Sequence, residues 1–80
     1  MKLLHCKYMI HQHNKKMGVI LFPLTMRHAD IHVEGEILSA GRAFIDSFVG
    51  SVEVYGRSFS LHIVSNPQDK DEIKRAFLQE

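Results

Sequence analysis

Residues 51–64 read SVEVYGRSFSLHIV, and this stretch decides the class of fold that the sequence predicts. Apolar and polar residues alternate on both sides of Gly56-Arg57, which is the pattern of two half-buried β-strands. Glycine at the first central position suits a type II′ turn, because that position has a positive φ. A two-residue turn pairs Val54 with Phe59 and continues outward so that apolar residues share one face. We therefore predict a β-hairpin over 51–64 in this register.

A short apolar run upstream predicts a further strand. Residues 19–22 are apolar and partly β-branched, and Pro23 ends the run. Because a continuous apolar run indicates that both faces are covered, we place this strand centrally in the sheet. Residues 24–33 are ambiguous, since Thr25 suits the cap of a short helix and a structured loop fits almost as well.

Residues 36–48 carry two conflicting patterns. The apolar residues match helical spacing, but several glycine and serine residues weaken a helix. An extended chain puts alternate residues from Ile37 to Ile45 on one face, with Gly41 as a bulge or a point of close approach. We favour the strand, because the hairpin at 51–64 needs a sheet to join.

The end of the chain predicts an α-helix with Pro67 in its first turn. Ser65 or Asn66 suits the N-cap, and acidic residues precede basic ones, as the helix dipole favours. The predicted apolar stripe, which we expect to pack on the apolar face of the hairpin, is Ile73, Ala76 and Phe77, with Leu78 at its margin.

These elements predict one α+β domain over residues 1–80. We expect a small antiparallel sheet of three to five strands with a C-terminal α-helix packed on one face. Residues 3–10 fit a strand of poor periodicity, and residues 11–16 are polar and turn-like. Met17 is an alternative translation start, in which case residues 1–16 form a loosely held N-terminal extension.

Cysteine usage and hydropathy bear on location. Cys6 is the sole cysteine, so the chain forms no internal disulfide and suits a reducing cytosol. No apolar run approaches the roughly 18 residues that span a bilayer. We expect a soluble cytoplasmic protein with no membrane partner.

The net charge of +1 hides an uneven distribution. Residues 1–29 carry five basic and no acidic residues (+5), whereas residues 30–80 carry five basic and nine acidic residues (−4). Mutual attraction of the halves explains this split, and so does a basic surface for a nucleic acid. The sequence pI of about 8.0 is lower than that of most dedicated nucleic-acid binders. The candidate nucleic-acid-binding residues are Lys7, Lys15, Lys16 and Arg27.

Six histidines raise the hypothesis of a metal site. His11 and His13 share a side of an extended chain, and His28 and His32 share a helix face. Together they offer four imidazoles to Zn²⁺, although structural zinc sites are usually richer in cysteine. Zn²⁺ is the one cofactor that this hypothesis implies.

No motif points to a family or to catalysis. The chain lacks GxGxxG and GxxxxGK[ST], and it is short for a deep pocket. We therefore assign no catalytic residues and expect no enzyme. The leading hypothesis is a non-catalytic binding or regulatory module that acts through protein–protein contacts as a homo-oligomer. The alternatives are a nucleic-acid-associated module that uses the basic N-terminal third and a metal-binding protein.

Overall fold

A computed structural model describes residues 3–78. Its elements in chain order are β1 (Leu3–His13), β2 (Lys16–Phe22), a 3-10 turn (His28–Asp30), β3 (Glu36–Asp46), β4 (Ser51–Tyr55), β5 (Arg57–Ser58), β6 (Ile63–Val64) and α1 (Asp69–Phe77). The described part thus combines an antiparallel sheet with a C-terminal helix, which confirms the predicted α+β class.

The main sheet has the strand order β2-β1-β3-β4, and every neighbouring pair is antiparallel. Residues 3–13 form the long central strand β1. The strand considered for residues 3–10 is therefore present, but the turn expected from residue 11 onward was wrong for residues 11–13, which continue the strand. Tyr8, Met9 and Ile10 are consecutive and fully buried, so both faces of β1 are covered at its middle. The strand predicted at 19–22 exists, but its central placement was wrong because β2 lies at the edge.

The register predicted for residues 51–64 is wrong. Val54 pairs with Ala43 of β3, not with Phe59, because β4 forms its hairpin with β3. The turn of that hairpin is closed by the Gly50 amide, which donates to the Asp46 carbonyl at 2.9 Å, and Gly50 has a φ of 73°. Pairing with β3 brings Val54 and its neighbours beneath α1, where more apolar surface is buried than in an isolated hairpin.

The second half of the predicted hairpin lies in a separate two-stranded sheet, β5-β6. Gly56 has the expected positive φ of 79°, but it turns the chain from one sheet to the other. Phe59 is 77% exposed in the loop between β5 and β6, and Leu61 packs on the sheet face opposite α1. The expectation that these residues support the helix was therefore wrong.

Residues 36–46 are extended, which confirms the strand that we favoured over a helix. Gly41 is a point of close approach, since an added Cβ would lie 2.7 Å from the Tyr55 carbonyl oxygen. The register of β1 and β3 shifts next to Ile10, so that Leu38 is skipped in the pairing. This irregularity moves Ile37 to the opposite face from Ile45, contrary to the alternation that we expected.

The predicted C-terminal helix is present, but it begins at Asp69 with Gln68 as its N-cap, so the N-cap expected at Ser65 or Asn66 was wrong. Asn66 belongs to the turn that precedes the helix. The Gln68 amide donates to the Asn66 side chain, and the Asn66 amide donates to Asp69, which resembles a capping box. Ile73 is fully buried and Leu78 packs on the same core. The stripe expected at Ala76 and Phe77 was wrong, since both residues are exposed.

Each face of the main sheet carries its own apolar cluster. The face under α1 is built around Tyr8 and Ile73, and the opposite face around Met9, Phe22 and Ala40. The second cluster is covered by residues of the 31–37 segment and of β6 and its preceding loop. Among residues 3–78, no helix is long and apolar enough to cross a membrane.

Candidate functional site: a cationic cleft beside an aromatic row

The face of the sheet opposite α1 carries two rows of charged and aromatic side chains. Cys6, Tyr8 and Ile10 of β1 pack on the helix side, so the alternate residues point to the other side. The register then aligns Lys7, Arg42 and Tyr55 in one row across β1, β3 and β4. The neighbouring row contains His5, Phe44 and Glu53.

Two further segments complete a cleft around Lys7 and Arg42. The loop after β2 supplies Arg27, and β5 supplies Arg57. The cleft has a volume of about 310 Å³, and among residues 3–78 no acidic side chain lines it. The residues that line this cationic cleft are Lys7, Arg27, His28, Arg42, Arg57, Phe59 and Ser60.

The four cationic side chains of the cleft have different partners. Lys7 Nζ donates to the Met26 carbonyl oxygen at 2.6 Å, which ties β1 to the loop. Arg27 forms an exposed ion pair with Asp30 at 3.0 Å, and this contact raises the pKa of Arg27.

The other two cations are free of acidic partners. The Arg57 guanidinium lies 5.6 Å from the centre of the Phe59 ring, and Arg42 has no ion-pair partner among residues 3–78. Because both side chains are exposed, at least two guanidinium groups are available to an anion.

His28 lies buried in the wall of the cleft. Its Nε2 is 3.1 Å from the Gly41 carbonyl oxygen and 3.2 Å from the Tyr8 carbonyl oxygen, so Nε2 carries the proton and donates. Burial lowers the pKa of His28, and the charges of Lys7 and Arg42 lower it further, although the carbonyl contacts oppose this shift. A neutral ring fits this position, and His28 serves to join the loop to the sheet.

Next to the cationic cleft, His5, Phe44 and Tyr55 form an aromatic row. The His5 and Phe44 rings stack with centroids 4.0 Å apart and planes 13° apart. The Phe44 and Tyr55 centroids are 5.9 Å apart, with planes 19° apart. His5 Nε2 is also hydrogen-bonded to the Tyr55 hydroxyl. The three rings are therefore nearly parallel and orient one another.

The structure separates the four basic residues proposed from the sequence. Lys7 and Arg27 line the cationic cleft, whereas Lys15 and Lys16 lie at the turn between β1 and β2. Sequence reasoning missed Arg42 and Arg57, because it followed the basic composition of residues 1–29. The alternation of β3 carried a signal for Arg42, but only the register with β1 places it opposite Lys7.

The four histidines proposed as metal ligands are also separated. His11, His13 and His32 line one groove of about 470 Å³ together with Glu34. His11 Nδ1 contacts the Glu34 carbonyl oxygen, and His13 lies 3.4 Å from its carboxylate. His28 is in the wall of the cationic cleft instead. Among residues 3–78, no group of three or more His, Cys, Asp or Glu is placed to hold a metal ion.

Two other clefts have a different character. One of about 500 Å³ lies beside α1 and is lined by both acidic and basic residues, including Asp71 and Lys74. Another of about 410 Å³ is mostly apolar and lies at the start of β1, between Leu4 and Phe22. Neither concentrates one sign of charge as the cationic cleft does.

Comparison of the chain with protein-family models, with curated proteins and with solved structures finds no significant match.

Proposed function

We propose that this chain is a non-catalytic nucleic-acid-binding module that holds phosphate groups in the cationic cleft. The observation that carries the proposal is the convergence of Lys7, Arg27, Arg42 and Arg57 from four separate segments on one cleft.

The convergence of positive charges destabilises the sheet locally, and a bound anion would offset this destabilisation. Lys7 and Arg42 are direct cross-strand partners, and like charges opposite each other destabilise a sheet. The fold also leaves Arg42 without an acidic partner among the described residues, so a bound anion would relieve the repulsion. Guanidinium groups bind phosphate in a bidentate manner, and Arg42 and Arg57 are both exposed for this purpose.

A pair of charge-matched variants tests the proposal. Arg42→Gln with Arg57→Gln removes two charges from the cleft, and Lys15→Gln with Lys16→Gln removes two from the β1–β2 turn. The probe is a fluorescent oligonucleotide, and its affinity is measured by anisotropy at several salt concentrations.

The cleft variant is expected to bind about tenfold or more weakly at low salt, because each lost charge-assisted contact is worth about 1.5 kcal/mol or more. The slope of log affinity against log salt should fall by about 1.4, or about 0.7 for each lost phosphate contact with a single strand. The turn variant should bind nearly as well as the unmodified chain. Equal losses in the two variants, or no salt-sensitive binding by the unmodified chain, would refute the proposal.

Protein–protein contact is a second candidate function, and the start of β1 favours it. The β1–β2 pairing ends at Lys7 and Phe22, so Leu3 to Cys6 pair with β3 alone. This open edge borders the apolar cleft at Leu4, which is 44% exposed. An open strand edge beside apolar surface favours the addition of a strand from another chain. Self-association through this edge is the form of the proposal that we adopt.

Leu4→Lys tests this second candidate. Sedimentation equilibrium should show a dimer for the unmodified chain and a monomer for the variant, because a charge in the apolar contact is costly. A monomer at every concentration of the unmodified chain would refute it. We also keep a cytoplasmic location as part of the proposal, on the basis of the single, buried cysteine.

A further inference from the structure

We propose that the aromatic row of His5, Phe44 and Tyr55 stacks unpaired bases, so that the ligand of the cationic cleft is a single-stranded nucleic acid. This inference rests on the proposed function and adds the class of nucleic acid and a second set of contacts.

The exposure of the rings is the first argument. Phe44 and Tyr55 are 40% and 39% exposed, although the apolar clusters of both sheet faces lie within reach of their strands. Other aromatic side chains are more exposed, but these two are grouped with His5 beside a charged cleft, which favours a binding site.

The common orientation of the rings is the second argument. Their planes lie within 26° of one another, and the hydrogen bond between His5 and Tyr55 holds two of them in place. Parallel, fixed rings continue a stack with another flat ring at little cost in side-chain freedom. A nucleobase is such a ring, and base–aromatic stacking tolerates any base.

The position of the aromatic row relative to the charges is the third argument. His5 and Lys7 are two residues apart on one face of β1, and Phe44 and Arg42 have the same relation on β3. Two residues along a strand span about 7 Å, so His5 and Phe44 each lie one side-chain position from a cation, and Tyr55 lies directly opposite Arg42. A phosphate held in the cationic cleft therefore leaves its own base within reach of the rings.

The requirement for stacking selects against a duplex. Inside a double helix both faces of each base are covered by neighbouring bases, so the faces that the rings would contact are absent. An acidic peptide could meet the charge of the cleft, but it carries no flat ring at each charged unit. The geometry thus favours a single strand over both.

The test compares three labelled probes of about twelve nucleotides, within the usual site size for single strands. They are oligothymidine, its duplex with oligodeoxyadenosine, and an abasic phosphodiester of the same length. Oligothymidine should bind about tenfold more tightly than the abasic probe, as expected for one or more stacked bases. It should also bind more tightly than the duplex despite the lower charge density of the single strand.

Conservative variants separate stacking from folding. Phe44→Leu keeps an apolar side chain but removes the ring, so it should abolish the preference for oligothymidine over the abasic probe. Phe44→Tyr should retain the preference. Phe77 is an exposed ring on α1, and α1 packs on the sheet face opposite the cationic cleft. Phe77→Leu should therefore leave the affinity for both probes unchanged.

The outcomes distinguish the two proposals. If oligothymidine and the abasic probe bind equally well, the stacking inference is overturned. If the Arg42→Gln, Arg57→Gln variant then loses binding of both probes, the cleft proposal still stands. Tighter binding of the duplex, or equally tight binding of a phosphorylated acidic peptide, would also overturn the inference. Failure of every probe to bind would overturn both proposals.

Discussion

Lys7 and Arg42 face each other directly across β1 and β3, so two positive side chains share one cross-strand position at the centre of the sheet. Neither forms a close ion pair among residues 3–78, although the positive charge of Lys7 adds to the hydrogen bond from Arg27 in lowering the pKa of Asp30. Opposite charges would be more stable here, and the proposed function accounts for the like-charge pair through a bound anion that offsets the repulsion.

Replacing Arg42 by glutamate should therefore stabilise the protein while it abolishes binding. Arg42→Glu turns a repulsive pair with Lys7 into an attractive one, which at this exposed position is worth about 0.2–1 kcal/mol. Urea unfolding at low salt should give a higher midpoint, and the gain should shrink at high salt because the charges are screened. A lower midpoint at both salt concentrations would contradict this account of the pair.

His28 should make the stability of the protein depend on pH. Its pKa is lowered in the folded state, so the unfolded chain takes up the proton first as the pH falls. The stabilisation is fully present above the unfolded pKa of about 6.5 and is lost as the pH falls from there toward the folded pKa. Glutamine in place of His28 keeps an N–H donor without a titrating ring. The difference in unfolding free energy between pH 7.5 and pH 5.5 should be smaller for His28→Gln than for the unmodified chain, and an equal difference would contradict this role.

Removal of the Tyr8 hydroxyl should destabilise the contact between the sheet and α1. Tyr8 is fully buried, and its hydroxyl donates to the Asp69 carboxylate, which is itself buried. Burial and the neighbouring carboxylate raise the pKa of Tyr8, so it stays a donor at any ordinary pH. Tyr8→Phe should cost about 1–3 kcal/mol because Asp69 loses a partner. Tyr55→Phe, at an exposed tyrosine, should cost much less, and similar losses in both variants would refute the importance of this bond.

Gly41 should tolerate no side chain. An added Cβ would lie 2.7 Å from the Tyr55 carbonyl oxygen and 2.9 Å from the Ser65 Cβ, and backbone cannot move away cheaply. Gly41→Ala should cost about 1–3 kcal/mol of unfolding free energy, measured in urea. Gly50→Ala is the control, since it meets no atom within 4 Å and only its positive φ resists alanine. A smaller loss at Gly41 than at Gly50 would contradict the close approach.

The elements of the fold were more predictable than their pairing. The C-terminal helix follows from helix-terminus residues, which are a local signal. The local patterns of residues 36–48 conflicted, and the strand was favoured because the segment at 51–64 needed a sheet to join. The pairing partner of Val54 cannot be derived from local signals, because alternation with a period of two is compatible with pairing to Ala43 as well as to Phe59. The choice is made by burial under α1, which depends on the whole fold.

Only part of the candidate site could be predicted from the sequence, because the rest depends on which strands pair. Lys7 and Arg27 lie in the basic N-terminal third, and composition alone draws attention to them. Arg42 and Phe44 sit in an ordinary alternating strand, and their roles depend on the residues of β1 that lie opposite. The histidine spacing was misleading, because His28 lies on a 3-10 turn and His32 lies beyond its end, so no continuous helix joins them.

A titration followed by ¹H–¹⁵N NMR tests the central claim most directly. Addition of single-stranded oligothymidine to the ¹⁵N-labelled chain should shift the amide signals of Lys7, Arg42, Tyr55 and Arg57, which surround the cationic cleft and the aromatic row. Signals of the β1–β2 turn at Lys15 and of α1 at Lys74 should stay in place. Shifts confined to the turn or the helix, with none at Lys7 and Arg42, would contradict the account.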